Sequence, residues 1–418
     1  MPKNKVTHIY IGGGAAGFFT AINSAEQMPH AEHVLLEATH RPMTKIKISG
    51  GGRCNVTHYC FEPKDLVRNY PRGSKELLGA FHRFQPRDTI AWFHKRGVDL
   101  KNEADGRVFP TTDSSETILQ CLHGETQRLK IDVRKGAKVQ SMRREDAQFH
   151  IHLQDGTLLH ADKILLATGS MPNGYTLAQS LGHSIVDPVP SLFTFNCQHF
   201  LLNNLMGTSF PKASLTLSIP VGTRHKTWHQ SGPLLITHWG LSGPAVLKLS
   251  AFAARELHAT QYQAQLTINW LGDRDQDSVF DFLNAWKDAN PQQSLSNAAI
   301  FELSKRFLAQ FFAFALAERS PSTTWQELTK ADLREIAHTL CHTKIAVTGK
   351  GIFKEEFVTC GGIDLKEVDF KTMQSKICPG LFFAGEILNL DGITGGFNFQ
   401  GAWTTGWIAA QAMSLDNL

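Results

Sequence analysis

The sequence predicts an α/β fold: a parallel nucleotide-binding sheet drawn from both ends of the chain, interrupted by an inserted β-rich and then helical region. Three observations lead there. A glycine fingerprint lies between a strand and a helix near the N-terminus, and a second dense run of glycines closes the chain. Between them, proline-punctuated β-type sequence gives way to helical sequence rich in Gln, Asn and Ala.

The first element is the short apolar run Val6–Ile11, which suits a buried parallel strand. Gly12-Gly13-Gly14-Ala15-Ala16-Gly17 follows, then a helical pattern over Phe18–Glu26 and a second strand over His33–Glu37. This is a βαβ unit with Rossmann-type spacing. Gly12 permits the tight turn, Gly14 lets the backbone approach a pyrophosphate, and Gly17 lets helix and strand pack closely. The helix start, with Ala15 and Ala16, turns free N–H groups and a partial positive charge toward the phosphates. Glu37 stands 20 residues beyond Gly17. Its carboxylate suits ribose hydroxyls and repels a 2′-phosphate.

Helical patterns recur around 75–96 and 114–130. Residues 131–166 read as several strands, with Val139 placed among the cofactor contacts. Two strand–turn units then favour FAD over NAD. Ile164-Leu165-Leu166-Ala167-Thr168-Gly169 and Leu381-Phe382-Phe383-Ala384-Gly385-Glu386 resemble turns of flavoproteins that bind two dinucleotides. There the Ala-Thr-Gly turn lies near the FAD and the Ala-Gly-acid turn reaches its ribityl chain, with Glu386 here in the place of an aspartate. The expected organisation is a discontinuous Rossmann-like FAD-binding domain (1–190 and 355–418). A β-rich subdomain (191–272) and a helical subdomain (273–354) are inserted in it.

At 418 residues the chain exceeds what one core usually organises. Its 42% apolar and 19% charged residues are ordinary for a globular protein. The net charge of +4 comes from Lys and Arg interleaved with acids along the chain, so no nucleic-acid partner is expected. Seven cysteines form no C-x-x-C pair and no Cys/His cluster, which predicts no metal site and a reducing compartment. Gly12–Gly14 break the N-terminal apolar run, against a secretory signal, and no stretch is long enough for a membrane span. The expected location is the cytoplasm; oligomeric state stays open.

Further motifs carry a family resemblance. They are Ser49-Gly50-Gly51-Gly52-Arg53-Cys54-Asn55-Val56-Thr57, Gly106–Pro110, Thr237-His238-Trp239-Gly240-Leu241-Ser242-Gly243-Pro244, Thr359–Ile363, Thr372–Lys376 and Asp391–Gln400. In this order they resemble the BaiN or aminoacetone-oxidase-type (YhiN-like) FAD-dependent oxidoreductases. The resemblance places the Ser49–Thr57 loop against the cofactor, with Lys45 just ahead of it. Consecutive glycines there let amides converge on an anion, and Arg53 either adds charge-assisted bonds to the pyrophosphate or holds the loop. Cys54 and Cys60 are one residue further apart than the pair of disulfide reductases, and are expected to be plain thiols. The loop Ser170–Tyr175 is shorter than in many members, so substrate specificity does not transfer.

Gly395 and Gly396 precede a helical pattern over Trp403–Met413. A helix N-terminus there, aimed at the pyrimidine edge of the flavin, stabilises negative charge on the reduced ring. Asn398, Phe399 and Gln400 are the expected ring contacts. His238 and Ser242 are candidates for supplying a proton, although Ser242-Gly243-Pro244 equally suits a helix start capped by Ser242. The expected reaction is hydride transfer between flavin and a small organic substrate. No second G-x-G-x-x-G exists, so NAD(P)H would dock transiently as electron donor. The alternatives are an O₂-using amine oxidase, an FAD-dependent RNA-modifying enzyme and an FAD-binding sensor.

Overall fold

The structure is a computed structural model that describes residues 6–317, 319–351 and 358–415. In chain order it begins β1 (Thr7–Ile11), α1 (Ala15–Gln27), β2 (Glu32–Glu37), β3 (Asp132–Lys135), β4 (Lys163–Leu166) and α2 (Pro172–Ser180). Next come β5 (Phe195–Asn196), β6 (Ser209–Val221), β7 (Arg224–Ile236), β8 (Gly240–Ser242), α3 (Pro244–Phe252) and β9 (Ala264–Asn269). Helices α4 (Gln276–Ala289), α5 (Lys305–Ala315) and α6 (Lys330–His342) precede β10 (Thr343–Val347) and β11 (Gly349–Lys350). The chain ends with β12 (Val368–Asp369), β13 (Gln374–Ser375), β14 (Leu381–Phe383) and α7 (Phe397–Met413). Two compact units result, residues 1–188 with 358–418, and residues 189–357.

The first unit is organised by a sheet of order β12-β13-β14-β4-β1-β2-β3. Strands β14, β4, β1, β2 and β3 run parallel, with Ile11 in register with Leu36 and Leu166, and Leu166 with Phe383. The apolar sequence of β14, β4, β1 and β2 follows from burial on both faces: Ile9, Tyr10, Leu35, Ile164, Leu165 and Leu381 are all inaccessible or nearly so. Helices α1 and α7 lie against each other. A Cβ on Gly406 of α7 would stand 2.9 Å from the Thr20 hydroxyl of α1, so glycine there sets the close approach.

A polar cluster is buried beside β1. Burial pushes the His8 imidazole down to about 3, and the nearby His33 and Lys163 act in the same direction. In the unfolded chain the imidazole titrates near 6.5. A group depressed on folding contributes stability that is present above 6.5 and lost as pH falls toward 3. The denaturant midpoint is therefore expected to drop across that window, and to drop less in His8→Gln. An identical pH dependence in the two proteins would contradict this.

The second unit holds an antiparallel sheet of order β10-β9-β6-β7-β8-β5-β11. Pro211 is accommodated within β6 by a register shift between Phe210 and Ala213. One face of the sheet carries Leu215, Leu217, Leu266 and Ile268 into a core shared with Phe307, Phe311, Leu333 and Ile336 from α5 and α6. Among the described residues, no helix is long and apolar enough to cross a membrane, and no group of three or more His, Cys, Asp or Glu is placed to hold a metal ion.

Candidate cofactor site

The carboxyl ends of β1, β2, β4 and β14 come together at one edge of the parallel sheet, where open α/β sheets bind their ligands. Backbone bonds tie the turns to one another: Gly12 N–H donates to Leu36 O at 2.8 Å, Ala167 N–H to Ile11 O at 2.8 Å, and Met43 N–H to Gly13 O at 2.8 Å. A Cβ on Gly12 would lie 2.4 Å from Ala167 O, and one on Gly17 would lie 1.9 Å from Gly12 O, so these glycines are demanded by the fold. Gly14 is different. It is the N-cap of α1 in extended conformation, and a Cβ on it meets nothing within 4 Å. The fold does not need that glycine, so the space beside it is left for something else. Helix α1 starts at Ala15, three residues before the periodicity indicated, which puts Ala15, Ala16 and Gly17 in its first turn.

Around this turn stand the acids. Glu37 accepts from Gly13 N–H at 2.8 Å through Oε2 and from the N–H and hydroxyl of Thr39 at 2.7 Å through Oε1. Glu386 accepts from Lys45 Nζ at 2.5 Å and from Thr359 N–H at 3.0 Å. A Cβ on Gly169 would stand 3.7 Å from Glu386 Oε2, which brings the β4 and β14 turns together. Two buried hydroxyls in this neighbourhood, those of Thr168 and Tyr175, have no hydrogen-bond partner among the described residues. Burial pushes the Tyr175 phenol well above its ordinary value, and the Glu386 charge adds to this, so it stays protonated. Two orphaned donors are costly unless a ligand satisfies them. Val139 is buried, and its carbonyl accepts from Asn173 Nδ2 at 3.0 Å.

The Ser49–Thr57 loop is left-handed at Gly50, Gly51 and Gly52 (φ 57°, 69° and 85°), and the last two face open space. Of the two roles open to Arg53, the structure gives it the loop-holding one. Its guanidinium pairs with Glu103 at 2.7 Å and Asp113 at 3.5 Å, and lies 4.0 Å over the Phe109 ring. Asn55, with its amide turned to suit its neighbours, donates to Thr57 O at 3.0 Å and accepts from Gly396 N–H at 2.9 Å. Burial pushes the Cys54 thiol up to about 12, and that of Cys60 also upward. The buried Cys54 thiol therefore stays protonated at neutral pH, and it is the thiolate that reacts. Iodoacetamide is expected to leave Cys54 unmodified in the native protein, and labelling at the rate of a free thiol would contradict that.

The C-terminal helix corrects the sequence reading. It begins at Phe397, with Gly396 as N-cap at φ 94°, six residues before the apolar pattern at Trp403. Asn398, Phe399 and Gln400 are therefore in its first turns. Gln400 is no ring contact: it is fully buried, accepts from the Thr57 and Thr89 hydroxyls at 2.6 and 2.9 Å, and donates to Thr404 at 3.0 Å. A helix begun six residues sooner turns this side chain into the core. Asn398 closes the preceding loop on itself, bonding Gly392 N–H and O at 2.9 and 2.8 Å, and Phe399 stacks on Trp403 at 5.8 Å. Gly395 (φ 124°) and Gly396 (φ 94°) form the helix mouth, where the Gly396 N–H is donated to Asn55. Sequence reasoning missed Arg72, which clamps the fully buried Asp391 at the start of this loop; nothing in its local sequence marks it.

His238 and Ser242 belong to the second unit. His238 is exposed in a turn closed by Thr237 N–H donating to Gly240 O at 2.8 Å. Ser242 is not a helix cap. It pairs with Leu235 at the end of β8, and the N-cap of α3 is Gly243 at φ 100°.

An open turn at a helix N-terminus, glycines facing empty space and two orphaned hydroxyls together fit a dinucleotide. Residues 6–412 match the family described as HI0933-like protein Rossmann domain. The ribosomal RNA dihydrouridine synthase of Escherichia coli is 30% identical over 411 residues, covering 96% of both chains. The 3-dehydro-bile acid delta(4,6)-reductase of Clostridium scindens is 26% identical over 411 residues, covering 96% of this chain and 97% of that protein. In fold alone, the chain is similar to the 3-ketosteroid-delta4-(5alpha)-dehydrogenase of Rhodococcus jostii (TM-score 0.51, 14% identity, 100% of this chain and 99% of that one). The chain belongs to the HI0933-like Rossmann family and is an FAD-dependent oxidoreductase.

Proposed function

We propose that this protein is a reductase that uses NAD(P)H and FAD to add hydride to a carbon–carbon double bond conjugated with a carbonyl group. The observation that carries the reading is the space at Gly14, which the fold leaves open at the start of α1 and at the carboxyl edge of the sheet. The N–H groups of Ala15, Ala16 and Gly17 would hold the pyrophosphate, with Glu37 on the adenosine ribose. Glu386, Thr168 and Tyr175 would bond the ribityl and ring side, with Lys45 beside them. Val139 and the Gly51–Asn55 backbone would close over the adenine half and the phosphates. Bound FAD supplies the hydride chemistry. The N-terminus of α7 at Gly395 and Gly396 would stabilise negative charge at the ring edge, and the protonated Tyr175 keeps a donor there.

The choice of acceptor is supported by what two relatives' names share. A dihydrouridine synthase saturates the uracil ring, and a delta(4,6)-reductase saturates a conjugated dienone. Both are hydride additions to an activated alkene. The reading is tested by anaerobic titration of the purified protein with NADH and NADPH, followed by addition of a uridine-containing RNA or a conjugated ketosteroid. Flavin bleaching by a nicotinamide and recovery with an acceptor is expected. Absence of bleaching with both nicotinamides, together with bleaching by a primary amine, would replace this reading by the amine oxidase.

A further inference from the structure

The sheet of the second unit has an unusual charge pattern. From residue 188 to residue 272 the chain carries five Lys or Arg and a single acid, Glu256. That acid is already paired with Lys226. None of the seven strands β5 to β11 contains an aspartate or a glutamate. The average composition of the chain conceals this.

The centre of the sheet's exposed face is polar, and the apolar Pro220, Pro233, Leu235 and Ala346 lie toward its margins. Cross-strand register places His229 opposite Thr216, Thr216 opposite Thr267, and Thr267 opposite Lys344. These four residues form one row across β7, β6, β9 and β10, about 14 Å long at ordinary strand spacing. The adjoining row is Thr227, Ser218 and Gln265. His229 and Lys344 are exposed and the two threonines half-buried, so the row faces solvent. Thr216 Oγ1 and His229 Nδ1 are 2.8 Å apart, which fixes the imidazole and turns its other nitrogen outward. Lys212, at the β6 irregularity, and His225, opposite Pro220, are exposed as well, whereas Arg224, opposite Val221, falls by strand alternation on the other face. Neither Lys212 nor Lys344 is in an ion pair among the described residues.

A flat face of cations, hydroxyls and imidazoles without a carboxylate matches a phosphate backbone. Hydroxyl and amine donors serve phosphate oxygens, and a missing carboxylate means no repulsion has to be overcome. An apolar partner finds no large hydrophobic side chain in these rows. We propose that this sheet face, with the row His229–Thr216–Thr267–Lys344 at its centre and Lys212 on the same side, docks the phosphate backbone of an RNA substrate. The proposal rests on the reductase reading above and selects RNA as the carrier of the acceptor. It reverses the expectation, drawn from overall composition, that no nucleic acid is bound.

The test uses the FAD-loaded enzyme and a fluorescein-labelled hairpin RNA with a uridine-containing loop, read by fluorescence anisotropy over a range of salt. Wild type is expected to bind with a steep salt dependence. Lys212→Glu/His229→Glu/Lys344→Glu is expected to weaken binding at least about tenfold and to reduce the slope of log Kd against log salt by about 2. Flavin absorbance and melting temperature should stay unchanged. The milder Lys212→Gln/Lys344→Gln should lie between, and serves if the triple variant folds poorly. Affinity and slope equal to wild type would overturn the proposal, as would tight binding of anionic phospholipid vesicles with RNA ignored. A dimer whose formation the triple variant abolishes, with RNA binding untouched, would overturn it too. Anaerobic bleaching measured on the same preparations keeps the two readings apart. Lost RNA binding with normal bleaching supports the surface, and RNA binding without bleaching sinks the reductase alone.

Discussion

Gly14→Asp is expected to give a protein that folds at least as well as the wild-type apoprotein and cannot hold FAD. The two effects have opposite signs because they have different causes. Gly14 is the N-cap of α1, with φ −93° and ψ −169°, a conformation any residue adopts, and no protein atom lies within 4 Å of an added Cβ. Aspartate is among the best N-cap residues and its charge suits the helix dipole, so the change stabilises the helix by about 0.3–1 kcal/mol. The same carboxylate fills the space proposed for the pyrophosphate and repels it. FAD affinity is expected to fall at least about 100-fold, or roughly 2.7 kcal/mol. Gly17→Ala is the contrasting case. Its Cβ would stand 1.9 Å from a backbone oxygen, so it should lose stability and flavin together. Circular dichroism, melting temperature and FAD titration of the apoproteins separate the two. A Gly14→Asp protein that purifies yellow would contradict the assignment of this turn.

Arg72→Ala should be the most damaging single change away from that turn. Asp391 is fully buried and Arg72 meets it with two bonds, Nε donating to Oδ1 at 2.6 Å and Nη2 to Oδ2. Removing one partner of a buried ion pair is strongly destabilising, by about 3–5 kcal/mol. Asp391 begins the loop that Asn398 closes and that ends at Gly396, the N-cap of α7. Flavin should therefore be released in the same transition. Replacing both residues, as Arg72→Met/Asp391→Leu, should recover most of the stability. If Arg72→Ala alone melts like wild type, the pair is not structural.

The parallel sheet and its fingerprint were legible because their signals are local. Strand, glycine turn, helix and acid follow one another within residues 6–37, and the two later strand–turn units carry their small residues next to their apolar runs. The start of α7 was not legible from periodicity. Phe397 to Gln400 face two sides at once, with Gln400 buried against Thr57 and Thr89, which lie more than 300 residues earlier. A polar side chain serving as a core hub looks in sequence like a ligand contact. Ser242 misled in a similar way. Ser-Gly-Pro suits a capped helix, yet tertiary pairing keeps Ser242 in β8 and leaves Gly243 to start α3. Arg72 and Asp391 are 319 positions apart, and no short-range pattern links them. Charge averaged over the whole chain hid the acid-free sheet, because acids elsewhere balance the total.

A crystal structure of the FAD-loaded protein tests the central claim most directly. The expected result is pyrophosphate density within hydrogen-bonding distance of the amides at the start of α1, with a ribose on Glu37. FAD bound elsewhere, or protein that stays colourless after incubation with excess FAD while the turn at residues 12–17 remains empty, would contradict it.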